Sequence, residues 1–174
     1  MAGSPSINAL FAQRVVVGVG DLAVSNNAQM VISTYALGSC IGVVAYDPGR
    51  KIGGLLHFML PESTIAPDKA AKQPAMFADT GLTQFFKLLG GMKAERASLR
   101  LFVAGGASVI SGQDNFRIGE RNTRATHDFL GLHGFRVSSA DTGGIHNRTL
   151  HLEVATGMIT IRKPSSQEQV LLTA

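Results

Sequence analysis

The 174-residue sequence contains a single cysteine, Cys40, and no tryptophan. One cysteine excludes an internal disulfide, and it also excludes a metal or redox site built on a Cys-x-x-Cys pair. No apolar run approaches the length of a membrane-spanning helix, and the first residues lack the charged start and continuous apolar stretch of a secretory signal. We therefore expect a cytoplasmic protein that does not insert into a membrane.

Charged residues are few, at 16%, and the formal net charge is only +4. The basic residues are scattered and few aromatic residues lie between them, so the sequence does not predict a nucleic-acid-binding face. Hydrophobic residues make up 45% of the chain. At this length, that share predicts a folded domain with a substantial core.

The domain is predicted to cover residues 13–164, between a flexible leader at residues 1–12 and a loosely held C-terminal tail at residues 165–174. Short runs rich in β-branched residues predict strands, and two amphipathic runs predict helices. The regular alternation of a β-α-β fold is missing. We therefore predict an α+β fold: a single-domain sandwich of mainly antiparallel strands with two helices packed on one face. The predicted strands cover residues 14–25, 28–37, 41–46, 52–60, 99–104, 135–140, 148–154 and 158–163, and the predicted helices cover residues 73–89 and 119–133.

The cysteine lies at the start of a predicted hairpin, in the run TYALGSCIGVVAYDPGRKIGGLLHFMLP at residues 34–61. The Asp-Pro-Gly-Arg sequence at residues 47–50 is typical of a turn between two strands. With the turn centred there, Cys40 lies directly opposite His57, with β-carbons about 4.5–5.5 Å apart on one face of the sheet.

Each residue taken alone has an ordinary structural explanation. A lone cysteine in an apolar run is usually a small core residue, and a histidine among apolar neighbours is usually a core histidine. Their cross-strand position favours a nucleophile and its base instead, because an imidazole beside a thiol takes or shares its proton. Gly38 and Ser39 permit close approach of a substrate, and the amide N–H groups near them are candidates for an oxyanion hole.

We expect no cofactor and no metal. The run VVVGVGDLA at residues 15–23 contains the glycines of a dinucleotide motif, but a strand end and a turn follow it where the motif needs a helix. His146 and His151 lie on opposite faces of a predicted strand, and His127 and His133 lack the spacing of helical metal ligands.

Six short runs, TYALGSC, GGLLHFMLP, FADT, AGGAS, IGERN and DTGG, occur in an order that resembles the CheD family, the chemoreceptor glutamine deamidases of bacterial chemotaxis. The resemblance extends over residues 15–163. It implies an α/β sandwich related to the deamidating cytotoxic necrotizing factor toxins. It also implies a catalytic set in which Cys40 is the nucleophile, His57 the base and Thr34 the third member. Asn147 and Phe77 depart from the family pattern, which affects expected contacts with substrate and partners but leaves the Cys–His pair intact.

The activity implied by this resemblance is that of a protein-glutamine glutaminase. It would convert receptor glutamines to glutamate through a cysteine thioester, with release of ammonia. The expected partners are methyl-accepting chemotaxis receptors, as protein substrate, and a CheC-type phosphatase. Two alternatives remain open: a non-catalytic chemotaxis adaptor that binds receptors or such a phosphatase, and another thiol acyl transfer such as proteolysis or transglutamination.

Overall fold

The computed structural model describes residues 12–108 and 116–172, and the structural statements below concern these residues. Residues 1–11 of the predicted leader and residues 173–174 of the predicted tail lie outside the described ranges. The strands are β1 (Gln13–Val16), β2 (Asp21–Ser25), β3 (Met30–Leu37), β4 (Ile41–Asp47), β5 (Ile52–Phe58), β6 (Arg100–Gly105), β7 (Val137–Thr142), β8 (Arg148–Glu153), β9 (Met158–Lys163) and β10 (Ser166–Leu171). The helices are α1 (Pro67–Lys72), α2 (Ala78–Gly91) and α3 (Ile118–Leu132), with single 3₁₀ turns at Ser63–Ile65, Pro74–Met76 and Arg96–Ser98.

The strands form two five-stranded sheets. The central sheet has the order β2-β5-β4-β6-β7, and the outer sheet has the order β1-β3-β8-β9-β10. The pairs β1–β3 and β6–β7 are parallel, and the other neighbouring pairs are antiparallel. No helix in the described ranges is both long and apolar enough to span a membrane.

Strand β4 shows how the layers are arranged. All of its residues are buried, and alternate residues of a strand point to opposite faces of the sheet. Val44 and Tyr46 pack with the outer sheet, whereas Ile41 and Val43 pack with residues of α2 and α3. The central sheet is therefore covered on both faces. The predicted sandwich with two helices on one face is confirmed.

The hairpin of β4 and β5 differs in register from the prediction. Asp47 still pairs with Ile52, so the loop contains residues 48–51 and His57 lies opposite Gly42 instead of Cys40. The buried Asp47 carboxylate accepts hydrogen bonds from the amides of Gly49 and Arg50, at 3.0 and 3.1 Å. Lys51 completes the loop with a left-handed backbone, φ 52°. The aspartate is thus the last strand residue, and the turn is displaced toward the C-terminus.

One predicted strand segment and the predicted C-terminal tail also differ from the structure. The run at residues 14–25 is divided by a turn at Gly20, φ 73°, and its halves β1 and β2 belong to different sheets. Six residues of the predicted tail form β10, which pairs with β9 along its whole length. Most of its side chains are exposed, because an edge strand is held mainly by backbone hydrogen bonds. Its polar sequence therefore gave no strand signal.

The predicted helices are present with altered bounds. Phe77 interrupts the first one, because its extended backbone forms a β-bridge with Leu60; α2 therefore begins at Ala78. The second begins one residue earlier than predicted, at Ile118. Its predicted apolar face included Leu132, which is 84% exposed.

Candidate active site

A β-bulge in β3 positions the first residue of the site. Thr34 pairs with Leu150, and the next pairing joins Leu37 to Arg148, so β3 contains one extra residue between the two pairs. Ala36 within this bulge has a left-handed backbone, φ 57°. In a regular strand, Thr34 and Leu37 would point to opposite faces. The bulge allows both to be fully buried.

Thr34 connects His57 to the backbone of Val17. Its Oγ1 lies 2.8 Å from Nδ1 of His57 and 2.7 Å from the carbonyl oxygen of Val17. A carbonyl can only accept, so the threonine hydroxyl donates its hydrogen to Val17. The oxygen of the hydroxyl must then accept from the Nδ1–H of His57. This chain selects the neutral tautomer in which Nε2 carries a free lone pair.

The imidazole of His57 is buried, with 1% of the residue exposed. Its Nε2 has no hydrogen-bond partner within residues 12–108 and 116–172. Burial lowers the pKa of His57 to about 4, and hydrogen bonding to the Val17 carbonyl opposes part of that shift. At neutral pH the ring is therefore uncharged, and its unpaired nitrogen is able to accept a proton.

Cys40 lies immediately before Ile41, the first residue of β4, which pairs with Phe58. Because His57 pairs with Gly42, extending this register by two residues makes Cys40 its diagonal neighbour, and diagonal neighbours share a face. The partly exposed thiol packs against the core between the two sheets. In the described ranges no hydrogen bond joins it to Nε2 of the imidazole. The two groups thus share the layer between the sheets without a direct bond.

The protonation state of Cys40 follows from its surroundings. Burial raises the pKa of the thiol, and a hydrogen bond from its own backbone N–H opposes part of this effect. The thiol and the imidazole of His57 are therefore both neutral in the free protein at pH 7. Both pKa shifts favour a neutral pair over a preformed thiolate and imidazolium.

The loop after β6 holds the segment that leads to Cys40. The amide of Gly106 donates to the Cys40 carbonyl at 2.9 Å, and the amide of Ala107 donates to the Gly38 carbonyl at 2.8 Å. Gly105 has φ 109°, and a β-carbon there would lie 2.1 Å from the Cys40 carbonyl oxygen. Only glycine can bring the two backbones this close.

The candidate oxyanion donors in this segment differ in availability. The amide of Gly38 already donates to the Ala36 carbonyl at 2.9 Å. The amides of Ser39 and Cys40 donate to no other backbone group of the described residues, and the Cys40 N–H contacts its own sulfur. We therefore regard the latter two N–H groups as the candidate donors, and Gly38 as a residue that shapes the loop.

Helix α3 contributes a site residue that the sequence analysis missed. Asn122 is fully buried, and its Nδ2 donates to the carbonyls of Ser39 and Met59, at 2.9 and 2.8 Å. The available signal was an asparagine on the inward stripe of an amphipathic helix. The buried members of that stripe are Gly119, Asn122, Thr126 and Leu130.

An ion-pair cluster joins the two sheets at the end of β7. Arg148 is 5% exposed and contacts Asp141 at 3.0 Å, and Lys163 contacts the same carboxylate at 2.9 Å. Burial acts to raise the pKa of Asp141, but hydrogen bonds and charges of the two cations outweigh it and lower that pKa overall. The following turn is bonded to the loop after β6, because Gly143 N–H donates to the Gly105 carbonyl at 2.9 Å.

The histidine of β8, His151, lies outside the site. His151 lies on the opposite face of the outer sheet from Thr34, with its Nδ1 2.8 Å from the Ser33 hydroxyl. The described part of the chain holds no group of three or more His, Cys, Asp or Glu side chains arranged to bind a metal ion.

The fold and site together define a class of structure. It is a two-sheet α/β sandwich with a partly exposed thiol at the start of a central strand and a threonine-bonded imidazole on the next strand.

Comparison with known proteins assigns the family. A family model described as "CheD chemotactic sensory transduction" matches residues 59–163. The chain is 43% identical to a "Probable chemoreceptor glutamine deamidase CheD 1" of Syntrophus aciditrophicus. The aligned 148 residues make up 85% of this chain and 92% of that relative. Identity to a "Probable chemoreceptor glutamine deamidase CheD" of Solibacter usitatus is 40% over 159 residues, or 91% of this chain and 94% of the relative. A relative of the same name in Pyrococcus abyssi is 38% identical over 153 residues, or 87% and 92% of the two chains.

The chain belongs to the CheD family, and the predicted resemblance is confirmed. The segment matched by the family model begins after His57. Thr34, Cys40 and His57 therefore lie outside the matched segment.

Proposed function

We propose that this protein deamidates glutamine side chains of chemoreceptors, with Cys40 as nucleophile, His57 as base and Thr34 as the residue that orients the imidazole. The names of the relatives support receptor deamidation. The observation that carries the assignment of roles is the chain from His57 through Thr34 to the Val17 carbonyl, at 2.8 and 2.7 Å. It leaves the base lone pair of Nε2 free on the sheet face that also carries the only thiol.

The first step forms a thioester. The Cys40 thiol gives its proton to Nε2 of His57 while the sulfur attacks the carboxamide carbon of the glutamine. The carbonyl oxygen becomes an oxyanion, and the N–H groups of Ser39 and Cys40 stabilise it. Because both groups are neutral in the free protein, this proton moves during the attack.

The second half returns the enzyme to its starting state. His57, now protonated at Nε2, donates that proton to the departing nitrogen; the C–N bond breaks and ammonia leaves. Water then attacks the thioester and gives a proton to the same nitrogen of the imidazole. The C–S bond breaks, the sulfur recovers its proton, and glutamate remains on the receptor. Throughout, Nδ1–H donates to Thr34, so the ring keeps its orientation.

The decisive experiment measures the intact mass of a purified receptor fragment after incubation with the protein. Each deamidated glutamine adds one dalton. We expect this gain with the natural protein and its loss with Cys40→Ala and His57→Asn. A matched control is His151→Asn, because His151 also presents Nδ1 to a hydroxyl, that of Ser33 at 2.8 Å, but lies outside the site. Its activity is expected to equal that of the natural protein.

Thr34 is tested by two substitutions that differ in one group. Thr34→Ser retains the hydroxyl and Thr34→Val removes it, so the serine variant is expected to keep activity and the valine variant to lose it. Deamidation that persists unchanged in Cys40→Ala would remove the enzyme assignment. Receptor binding without any mass gain in the natural protein would favour the adaptor. Peptide cleavage or amine incorporation would favour another thiol acyl transfer.

A further inference from the structure

Asn122 bonds the chain on both sides of the candidate catalytic pair. One of its amide hydrogens is donated to the Ser39 carbonyl, just before Cys40, and the other to the Met59 carbonyl, two residues after His57. The orientation of the carboxamide is unambiguous, because a flipped amide would place its oxygen against two carbonyl oxygens. One buried side chain therefore ties together the segments that carry the thiol and the imidazole.

The bond to Ser39 has a specific consequence for the oxyanion hole. The Ser39 carbonyl and the Cys40 N–H belong to the same planar trans peptide, so they point in opposite directions. Fixing the carbonyl toward Asn122 therefore fixes the N–H away from α3. This N–H is one of the two candidate oxyanion donors. The Gly38 carbonyl is fixed in the same manner by the Ala107 amide, at 2.8 Å.

The helix that carries Asn122 is seated directly on the loop after β6. A β-carbon at Gly119 would lie 2.6 Å from the Gly106 carbonyl oxygen and 2.7 Å from that of Ala107. This loop donates hydrogen bonds to the carbonyls of Gly38 and Cys40. Asn122 donates to the Ser39 carbonyl between them. The two peptide planes before the nucleophile and the one after it are thus each set by a neighbouring element.

One atom of the Asn122 side chain opposes folding. The Oδ1 of Asn122 is buried and has no hydrogen-bond partner among the described residues, which is unfavourable for folding. The contribution of this side chain therefore lies in the two hydrogen bonds that its Nδ2 donates to the site loops.

We infer that Asn122 is a positioning residue for the proposed deamidation, on which this inference rests: it orients the Cys40 N–H toward the oxyanion. Removing one oxyanion donor typically lowers kcat by about 10²–10³-fold. Asn122→Leu retains the volume but not the donors, so it is expected to lower kcat at least about tenfold with little change in KM. A second variant, Asn122→Asp, retains the shape and presents oxygens to the two carbonyls; it is expected to show the same loss.

The matched control is Thr126→Val, one turn further along the buried stripe. Among the described residues, the Thr126 hydroxyl bonds to the Asn122 carbonyl within the helix, at 2.8 Å, so its loss perturbs α3 and removes no bond to the site loops. We expect deamidation within about twofold of the natural protein, because valine retains the shape of the threonine side chain and both hydrogen bonds of Asn122 remain. Thermal unfolding of all variants is measured alongside.

Two reagents test the inference without the natural substrate. Acylation of Cys40 by p-nitrophenyl acetate passes through an oxyanion, whereas alkylation by iodoacetamide does not. We expect Asn122→Leu to slow acylation at least about tenfold and to leave alkylation nearly unchanged, and Thr126→Val to change neither. The inference is overturned if the two rates stay unchanged in Asn122→Leu, if they fall together, or if Thr126→Val reproduces the acylation loss. A natural protein that is acylated as expected but never deamidates a receptor fragment would refute the proposed function alone.

Discussion

Acidification is expected to destabilise this protein through His57. The ordinary pKa of a histidine is 6.5, whereas burial lowers the pKa of His57 to about 4 in the folded chain. Between these two values the unfolded chain binds a proton that the folded chain does not. The free energy of unfolding therefore falls as the pH falls through this window, and the contribution is fully recovered above pH 7.

The magnitude follows from the two pKa values. One pKa unit corresponds to about 1.4 kcal/mol, so the loss relative to pH 8 reaches about 2 kcal/mol at pH 5 and about 3 kcal/mol at pH 4. Other groups contribute to the total. Burial and the charges of Arg162 and Arg14 lower the pKa of His151, and Asp141 has a lowered pKa as well. The contribution of His57 is therefore measured as the difference in unfolding free energy between the natural protein and a variant that lacks this histidine.

The comparison protein is His57→Asn, which retains an N–H group for the Thr34 hydroxyl but takes up no proton. Urea unfolding is measured for both proteins at pH 8, 6, 5 and 4. Between pH 8 and pH 4, the free energy of unfolding is expected to fall by about 3 kcal/mol more in the natural protein than in His57→Asn. In His151→Asn, most of this pH-dependent fall should still be seen. Parallel curves for the natural protein and His57→Asn would refute the assignment of a buried, neutral imidazole at position 57.

Three further outcomes are expected. Iodoacetamide should alkylate Cys40 about tenfold faster with each pH unit between pH 6 and pH 9, because burial raises the thiol pKa; a plateau below pH 7 would instead reveal a preformed ion pair. Lys51→Gly should raise the free energy of unfolding by about 0.5–1 kcal/mol relative to Lys51→Ala, since glycine tolerates φ 52°, and equal denaturation midpoints would contradict this. Asp141→Asn should lower the free energy of unfolding by about 3 kcal/mol or more, because it leaves the buried Arg148 without its carboxylate. An unchanged melting temperature would show that the pair does not hold the sheets together.

The layer arrangement and the candidate residues of the site could be predicted from local patterns. The strand β9 has the predicted bounds, residues 158–163, because a turn sequence and β-branched residues mark it without help from distant contacts. The predicted helix at residues 119–133 is α3 within one residue at each end, since a 3.6-residue apolar period is a property of the segment itself. Likewise, a sole thiol and a nearby imidazole are visible in the sequence as reactive groups.

Long-range hydrogen bonds account for what could not be predicted. The register of the β4–β5 hairpin depends on a buried Asp47 carboxylate, which also accepts from the Glu95 amide at 2.7 Å, from a residue far along the chain. The division of residues 14–25 between two sheets depends on which strands are available for β1 and β2 to pair with. Neither outcome is encoded by the local propensity of the segment concerned.

The side chains able to carry chemistry can be read from the residues alone: one sulfur, one imidazole among apolar residues and a threonine six positions before the cysteine. The tautomer of His57 depends on the Val17 carbonyl, and the direction of the Cys40 N–H depends on Asn122. Every residue has a carbonyl group, so the carbonyls that accept a given bond are selected only when distant strands and helices come together.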